Sequence, residues 1–456
     1  MNSADLKIVN GNLVLPEEIV QGNIYVSGGK IGQIEKVGYG GARGKETIDV
    51  EGKTVLPGLV DIHVHLRDPG FEHKEDFSTG TMAAAAGGVT TICDMPNNKP
   101  PVTTKERLEQ KMAAISPKAV VDYGLFASAS GKSHFGSFRE QGVIGVKLYM
   151  EEAHQAGSPY GGDLTVTDEG EIWDIFCEAS KCALPLAVHL DAPAITKRLR
   201  QSLASQPPSW VHYYTLQKSI AEEVALAKIL VMSEAVKGKV HISHVMSSSC
   251  LEPIKEAKSQ GKKLTTDCIV PAISIDDLMT LGPFAIPIGR PERENELFWQ
   301  SLESSVLDCI ITDHAPHTKH EKDAGWADMW APPPGLPGLE TLLGIMLTRV
   351  DRGLMDLCAV ARIASRQPAK IAGIDYCKGA LEQGKDADLV IIDTQEKWIV
   401  QNERLYTKCG WSPFSGKVLV GRPRMTILRG KVIMQDGKVV GLPGYGLMIK
   451  PRYLVA

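Results

Sequence analysis

Two imidazoles and a guanidinium stand close together in the run Asp61-Ile62-His63-Val64-His65-Leu66-Arg67. In an extended strand, residues i and i+2 point to one face, so His63 and His65 reach the same point. Alone, such a pair is as much a chance feature of a half-exposed strand as a ligand set. Further residues of ligand type follow, however: Lys147, His189, His244 and Asp313, each at or near the carboxyl end of a short apolar run. Imidazoles and a carboxylate together suit zinc and its neighbours in the divalent series. Lys147 needs a separate argument, because an ammonium has no lone pair and is repelled by a dication. Inside the apolar run Gly145-Val146-Lys147-Leu148-Tyr149 its pKa can fall far enough for the amine to react with carbon dioxide. The carbamate formed is an anionic, two-oxygen ligand able to bridge two metals. A buried lysine paired with a carboxylate is the competing reading, and the spacing leaves both open.

These residues must be positioned by the elements that carry them. Eight short, apolar runs fall at Leu59–Ile62, Val89–Cys93, Val120–Leu125, Gly145–Tyr149, Leu184–His189, Val240–His244, Lys263–Thr266 and Cys309–Thr312. Helical patterns lie between some of them, at Thr79–Ala86, Thr104–Ile115, Ile172–Ala179 and Ile220–Ala235. Eight strands alternating with helices predict an α/β fold, a (β/α)8 TIM barrel, whose active sites are built at the carboxyl ends of the strands. The two ends of the chain share a different texture. Leu6–Val9, Asn23–Val26, Lys30–Ile34 and Thr47–Val50 are strand-like, and so are Ala387–Asp393, Lys397–Val400, Met425–Arg429 and Lys431–Met434. Neither end can easily bury its apolar face alone, so one small β domain formed from both termini is expected. The expected division is 1–55 and 376–456 for this β domain and 56–375 for the barrel.

Composition narrows the function classes. The 456 residues are 43% hydrophobic and 23% charged with a net charge of −4, which suits a soluble globular protein and gives no reason to expect nucleic-acid binding. No apolar run reaches membrane-spanning length, and the first residues lack a signal-peptide pattern. Nine scattered cysteines without a CxxC pair argue for a reducing compartment, hence a cytoplasmic protein, and most of them read as small core residues. His73, His134, His154, His212 and His320 read as loop or surface residues; His241, three before His244, reads as a filler of the barrel wall in preference to a residue that supports a ligand from behind. Gly87-Gly88 and Gly161-Gly162 read as turns, and Trp411, Pro413 and Phe414 as a packing anchor between barrel and β domain.

The string GLVDIHVHLRDPGFEHKEDFSTGTMAAAAGGVTTICDMPNNKPP resembles the opening motif of dihydroorotases, within the cyclic amidohydrolases of the amidohydrolase superfamily. GVKLYM, VHL, HISHV, TDHAPHTKHEK, PPPGLPGLET, KGALEQGKDADLVIID and KCGWSPFSG continue the likeness in order, from about Gly52 to Gly430. The resemblance implies two divalent metals, zinc by preference. His63, His65, Lys147 and Asp313 would hold the more buried one; N6-carboxylated Lys147, His189 and His244 would hold the second. It also implies that Arg67 and Asn97 grip a substrate carboxylate, that His317 and the backbone near Pro334 and Gly335 touch substrate, and that Asp313 is the acid–base group. The reaction implied is reversible hydrolysis of dihydroorotate to N-carbamoyl-L-aspartate by a metal-activated hydroxide. The partner is then a small cyclic amide, with no membrane or nucleic acid, and a homo-oligomer is expected.

One region departs from the family pattern. After the seventh strand the family's histidine-bearing motif is absent, and Ile286 falls where a polar substrate contact is expected, leaving Arg290 or Arg293 as substitutes. A hydantoinase or allantoinase is therefore the alternative enzyme. The alternative of another class is a catalytically silent scaffold, against which the complete ligand set argues.

Overall fold

The computed structural model describes residues 4–36, 44–131, 133–151, 163–217 and 220–452. His154 and Gly161-Gly162 lie outside the described residues. Eight strands form one sheet in chain order: Leu59–Val64, Val89–Asp94, Asp122–Ser128, Gly145–Tyr149, Leu186–His189, Val240–Ile242, Leu264–Ile269 and Cys309–Ile311. All neighbouring pairs are parallel. The expected (β/α)8 barrel is thus the observed one. Gly145–Tyr149 is buried at every position, as a strand covered on both faces must be. The ring closes between the eighth and first strands with little backbone pairing. Val64 bridges His314 in parallel, and His65 N–H donates to His314 O at 2.8 Å.

Several helices start on a capping side chain rather than on the first apolar residue. Asp76 caps Phe77–Ala86, Thr104 caps Lys105–Ile115, and Asp168 caps Glu169–Lys181. Each accepts a backbone N–H that has no partner within the helix. This is why two of these helices begin earlier than hydrophobic periodicity predicts.

The chain ends build a second, mostly antiparallel sheet. Its order runs Lys438–Val439, Lys431–Gln435, Val418–Leu428, Leu389–Ile399, Thr54–Pro57, Ala4–Val14, Ile19–Ser27 and Lys30–Lys36, with Gly44–Asp49 also against Ala4–Val14. Leu389–Ile399 pairs with Thr54–Pro57 and so joins the two ends. The two strands expected over Ala387–Asp393 and Lys397–Val400 are one, with a register shift between Asp393 and Lys397. There the Asp393 side chain accepts the N–H groups of Gln395 and Glu396, a local turn within the strand. Among the described residues no helix is long and apolar enough to cross a membrane.

A buried charge cluster fastens the sheet to the amino end of the barrel. Lys378 Nζ lies 2.6 Å from Asp122, 2.7 Å from Asp388 and 3.0 Å from Asp386. Asp122 opens the third barrel strand, and Asp388 leads into the terminal sheet. Burial works against the ammonium, but the surrounding carboxylates hold its pKa above the ordinary lysine range. Lys378→Met should leave buried Asp388 without its cation, while Asp122 keeps Arg429 and Asp386 keeps Lys30, and lower unfolding stability by about 3–5 kcal/mol, read by urea denaturation. A loss below about 1 kcal/mol would show that the two parts are held together elsewhere.

Candidate functional site

The carboxyl ends of the barrel strands meet at a cavity of about 540 Å³. His63, His65 and Asp313 face one another there, with one ligand atom of each lying within 4.8 Å of the others. His65 Nε2 is 3.0 Å and His63 Nε2 3.6 Å from Asp313 Oδ1. His63 Nδ1 is buried with no hydrogen-bond partner among the described residues. Burial, then the charge of Lys147, holds the His63 imidazole well below its ordinary pKa and therefore neutral. Burial would raise the Asp313 carboxyl, but His63, His65 and His244 hold it well below the usual range. Neutral imidazoles and an ionised carboxylate converging on one point are the donor set of a divalent cation, so these residues fit one.

A second pair adjoins the first. His189 Nδ1 and His244 Nε2 are 3.0 Å apart, and the rings of His63 and His244 lie 5.1 Å centroid to centroid. Burial lowers the pKa of both, for His244 to about 4. Lys147 is fully buried, and its Nζ has no hydrogen-bond partner among the described residues. The competing reading, a lysine in a direct carboxylate pair, is not what is observed. Burial lowers its pKa to about 8 against the opposing charges of Asp267, Asp313 and Glu151. Glu151, on the same cavity wall, is pushed up to about 8 by burial.

Arg67 also lines the cavity. Its Nε donates to Pro316 O at 3.2 Å, and its Nη2 lies 3.1 Å from His317 Nε2. His317 itself is fully buried and does not reach the cavity wall. Lys74 Nζ, 3.2 Å from His317 Nδ1, can only donate, so in the tautomer that serves both neighbours Nδ1 accepts and Nε2 carries the proton toward Pro334 O at 3.1 Å, and Arg67, also donor-only, packs against Nε2 without a hydrogen bond to it. Burial and then the cations Arg67, Lys74 and Lys322 hold His317 neutral. Pro334 and Gly335 are on the wall. A side chain at Gly335, at φ +133°, would meet Ala315 O at 2.5 Å. Asn97 lies behind the wall, its Oδ1 2.6 Å from His65 Nδ1 and its buried Nδ2 without a partner among the described residues.

The substitutes weighed for the missing contact are elsewhere. Arg293 is exposed, and Arg290 stacks on Phe298 at 4.1 Å. Ile286 is buried and serves through its backbone, its carbonyl accepting from Gly335 N–H and Lys322. Lys322, buried, also donates to Pro333 O and Gly335 O, so one ammonium shapes this wall. His73, His134 and His320 are exposed and His212 is half-buried. Trp411 is buried edge-to-face on Phe284 and donates to His317 O at 2.8 Å, reaching the site itself.

Some supporting residues escaped sequence reasoning. Glu75 accepts from Thr407 Oγ1 and Lys408 N–H and lies 3.3 Å from His314 Nε2, next to Asp313. Asp61 accepts the His63 N–H at 3.1 Å and the Thr312 N–H at 3.2 Å. Polar residues in otherwise buried strands were the available signal for Asp61 and Asp267. The charged strings HKE at 73–75 and HTKHEK at 317–322 were the signal for Lys74, Glu75 and Lys322.

The chain matches the amidohydrolase family over residues 54–433. It is 34% identical to a dihydroorotase of Methanothermobacter thermautotrophicus, covering 94% of each chain. It is 30% identical to an L-hydantoinase of Paenarthrobacter aurescens, covering 98% of each. Among solved structures it superposes on the L-hydantoinase (dihydropyrimidinase) from Arthrobacter aurescens with a TM-score of 0.93 and 29% identity, covering 98% of this chain and all of that one.

The place of Asn97 generates a test. Asn97→Leu removes the acceptor that turns His65 Nε2 toward Asp313, and should weaken metal retention about tenfold in dialysis against a chelator. Asn97→Asp keeps that acceptor and should hold metal like the parent. Equal retention in both variants would show that Asn97 does not orient His65.

Proposed function

The chain belongs to the amidohydrolase family, and from that premise we propose that this hydrolase of cyclic amides is a dihydroorotase, interconverting dihydroorotate and N-carbamoyl-L-aspartate. The observation that carries the reading is Arg67, a guanidinium on the cavity wall beside the ligand cluster, held by Pro316 O and lying against the His317 ring. An Arg fork matches a carboxylate, which dihydroorotate has and an unsubstituted hydantoin lacks. Lys74 lies close by, paired with Glu321 at 2.6 Å, and burial lowers the pKa of neighbouring Lys322 to about 7.

In this reading His63, His65 and Asp313 would hold one divalent metal and His189 and His244 a second, with carbamylated Lys147 as a further anionic ligand, zinc being the proposed ion. Bound there, two such ions supply a hydroxide nucleophile near neutral pH and polarise the ring carbonyl. Asp313, ionised before the reaction, takes the nucleophile's proton and passes it to the ring nitrogen as the C–N bond breaks. Arg67 orients the substrate carboxylate, and Asn97, behind the wall, orients His65. In the reverse direction Asp313 accepts the proton of the attacking amide nitrogen. Nine free cysteines suit the reducing cytoplasm we assign.

A hydantoin with an apolar substituent is the second reading, favoured by one observation. The outer cavity wall carries Tyr213 stacked on Trp330, with centroids 5.4 Å apart and planes at 25°.

Two tests follow. With a folded-state pKa of about 8, Lys147 is mostly protonated at pH 6.5 and mostly neutral at pH 8.5. Only the neutral amine attacks carbon dioxide, so reactivation of metal-stripped protein by zinc at fixed dissolved carbon dioxide should be roughly ten- to thirtyfold faster at the higher pH. A pH-independent rate, or full activity and metal content in Lys147→Ala, would remove the carbamate. For the substrate, Arg67→Met should lower kcat/KM for dihydroorotate by roughly 30- to 1,000-fold and leave a carboxylate-free ring nearly unaffected. Turnover of hydantoins or allantoin but not dihydroorotate by the metallated protein would overturn the dihydroorotase assignment and leave a cyclic-amide hydrolase.

A further inference from the structure

His244 follows a strand, Val240–Ile242, but its own backbone leaves strand geometry at φ +40°. Residues with a side chain rarely adopt this left-handed region, and hold it only where surrounding contacts over-determine it. Here the contacts come from one residue of the next strand. Asp267 Oδ1 accepts the His244 N–H, and Asp267 O accepts the Val245 N–H at 2.9 Å. The turn is thus wrapped onto a single aspartate.

That aspartate is itself held. Its Oδ2 is 2.8 Å from His241 Nε2, and His241 Nδ1 is 3.0 Å from Thr265 Oγ1. Since the carboxylate accepts, His241 carries its proton on Nε2, and its Nδ1 accepts from the threonine hydroxyl. His241 and Thr265 are direct partners in the sheet register, and Asp267 lies two residues beyond Thr265 on the same face. Asp267 is fully buried and His241 nearly so. Neither is on the cavity wall or among the ligand residues.

We propose that Asp267, aligned by His241 and Thr265, is a positioning residue that sets the left-handed turn at His244 and so aims its imidazole at the point shared with His189. It governs binding of the second metal and leaves the first, because His63, His65 and Asp313 depend on Asp61 and Asn97 instead. The inference rests on the two-metal reading above.

The test is metal stoichiometry and affinity, measured by elemental analysis after equilibration of the full chain with graded free zinc. The wild-type chain should bind two ions. Asp267→Ala should keep one at wild-type affinity and bind the other 10- to 100-fold more weakly. His241→Leu should weaken the second ion about tenfold, and His241→Gln, which keeps a donor to Asp267, should restore most of the loss. Should Asp267→Ala fail to fold, the two His241 variants decide. Two ions at wild-type affinity in Asp267→Ala or His241→Leu, or equal weakening of both ions, would overturn the positioning role while leaving the two-metal reading intact. A wild-type chain that binds fewer than two ions would overturn that reading, and this inference with it.

Discussion

The barrel is held shut by a carboxylate more than by its backbone. Between the first and eighth strands the ladder provides the Val64–His314 bridge, while Asp61 grips both sides, one oxygen on its own strand and the other across the seam. One takes the His63 N–H; the other takes the N–H and hydroxyl of Thr312. Burial alone would favour the neutral acid and pushes its pKa up to about 7, against these three donors. A buried carboxylate is tolerable only when its lone pairs are filled in this way. The seam it closes is the one that carries His63 and His65 on one side and Asp313 on the other.

Around that seam the chain accepts local strain to aim side chains. Arg67, His244 and Asp313 have φ of +63°, +40° and +45°, a region that costs on the order of 1 kcal/mol or more for each residue with a side chain. All three line the cavity. The strand ends therefore do not simply continue into loops. They turn sharply at residues of the candidate site, and buried acceptors and donors behind them keep the turns in place.

Charge is sorted across the cavity floor. On the ligand side burial keeps the imidazoles neutral, leaving lone pairs for a cation. On the other side Arg67, Lys74 and Lys322 gather around the neutral His317. The end of the chain completes this second side. Trp411 caps the His317 carbonyl, and Thr407 and Lys408 fill the Glu75 carboxylate that meets His314. The terminal sheet is thus joined to the barrel at both ends, through Lys378 below and through residues 407–411 at the site.

Much was legible in the sequence because the relevant signals are local. Apolar runs bounded by polar residues mark the eight strands, since a covered parallel strand must be apolar along its length. His63 and His65 share a face by strand periodicity, and the motif order places Lys147, His189, His244 and Asp313 at strand ends. What spacing could not decide was what each polar group touches across the barrel. His317 looked like a group facing the substrate, yet packing turns it inward onto Lys74 and Pro334 O. Ile286 looked like a lost contact, yet it is the backbone there that works, through Lys322. His241 looked like wall filling, yet it lies against Asp267, and Glu75 meets His314 from a segment 239 residues away. A strand's period is written in its own residues, but a hydrogen-bond partner from a distant segment is chosen only when the barrel closes and brings the two into register.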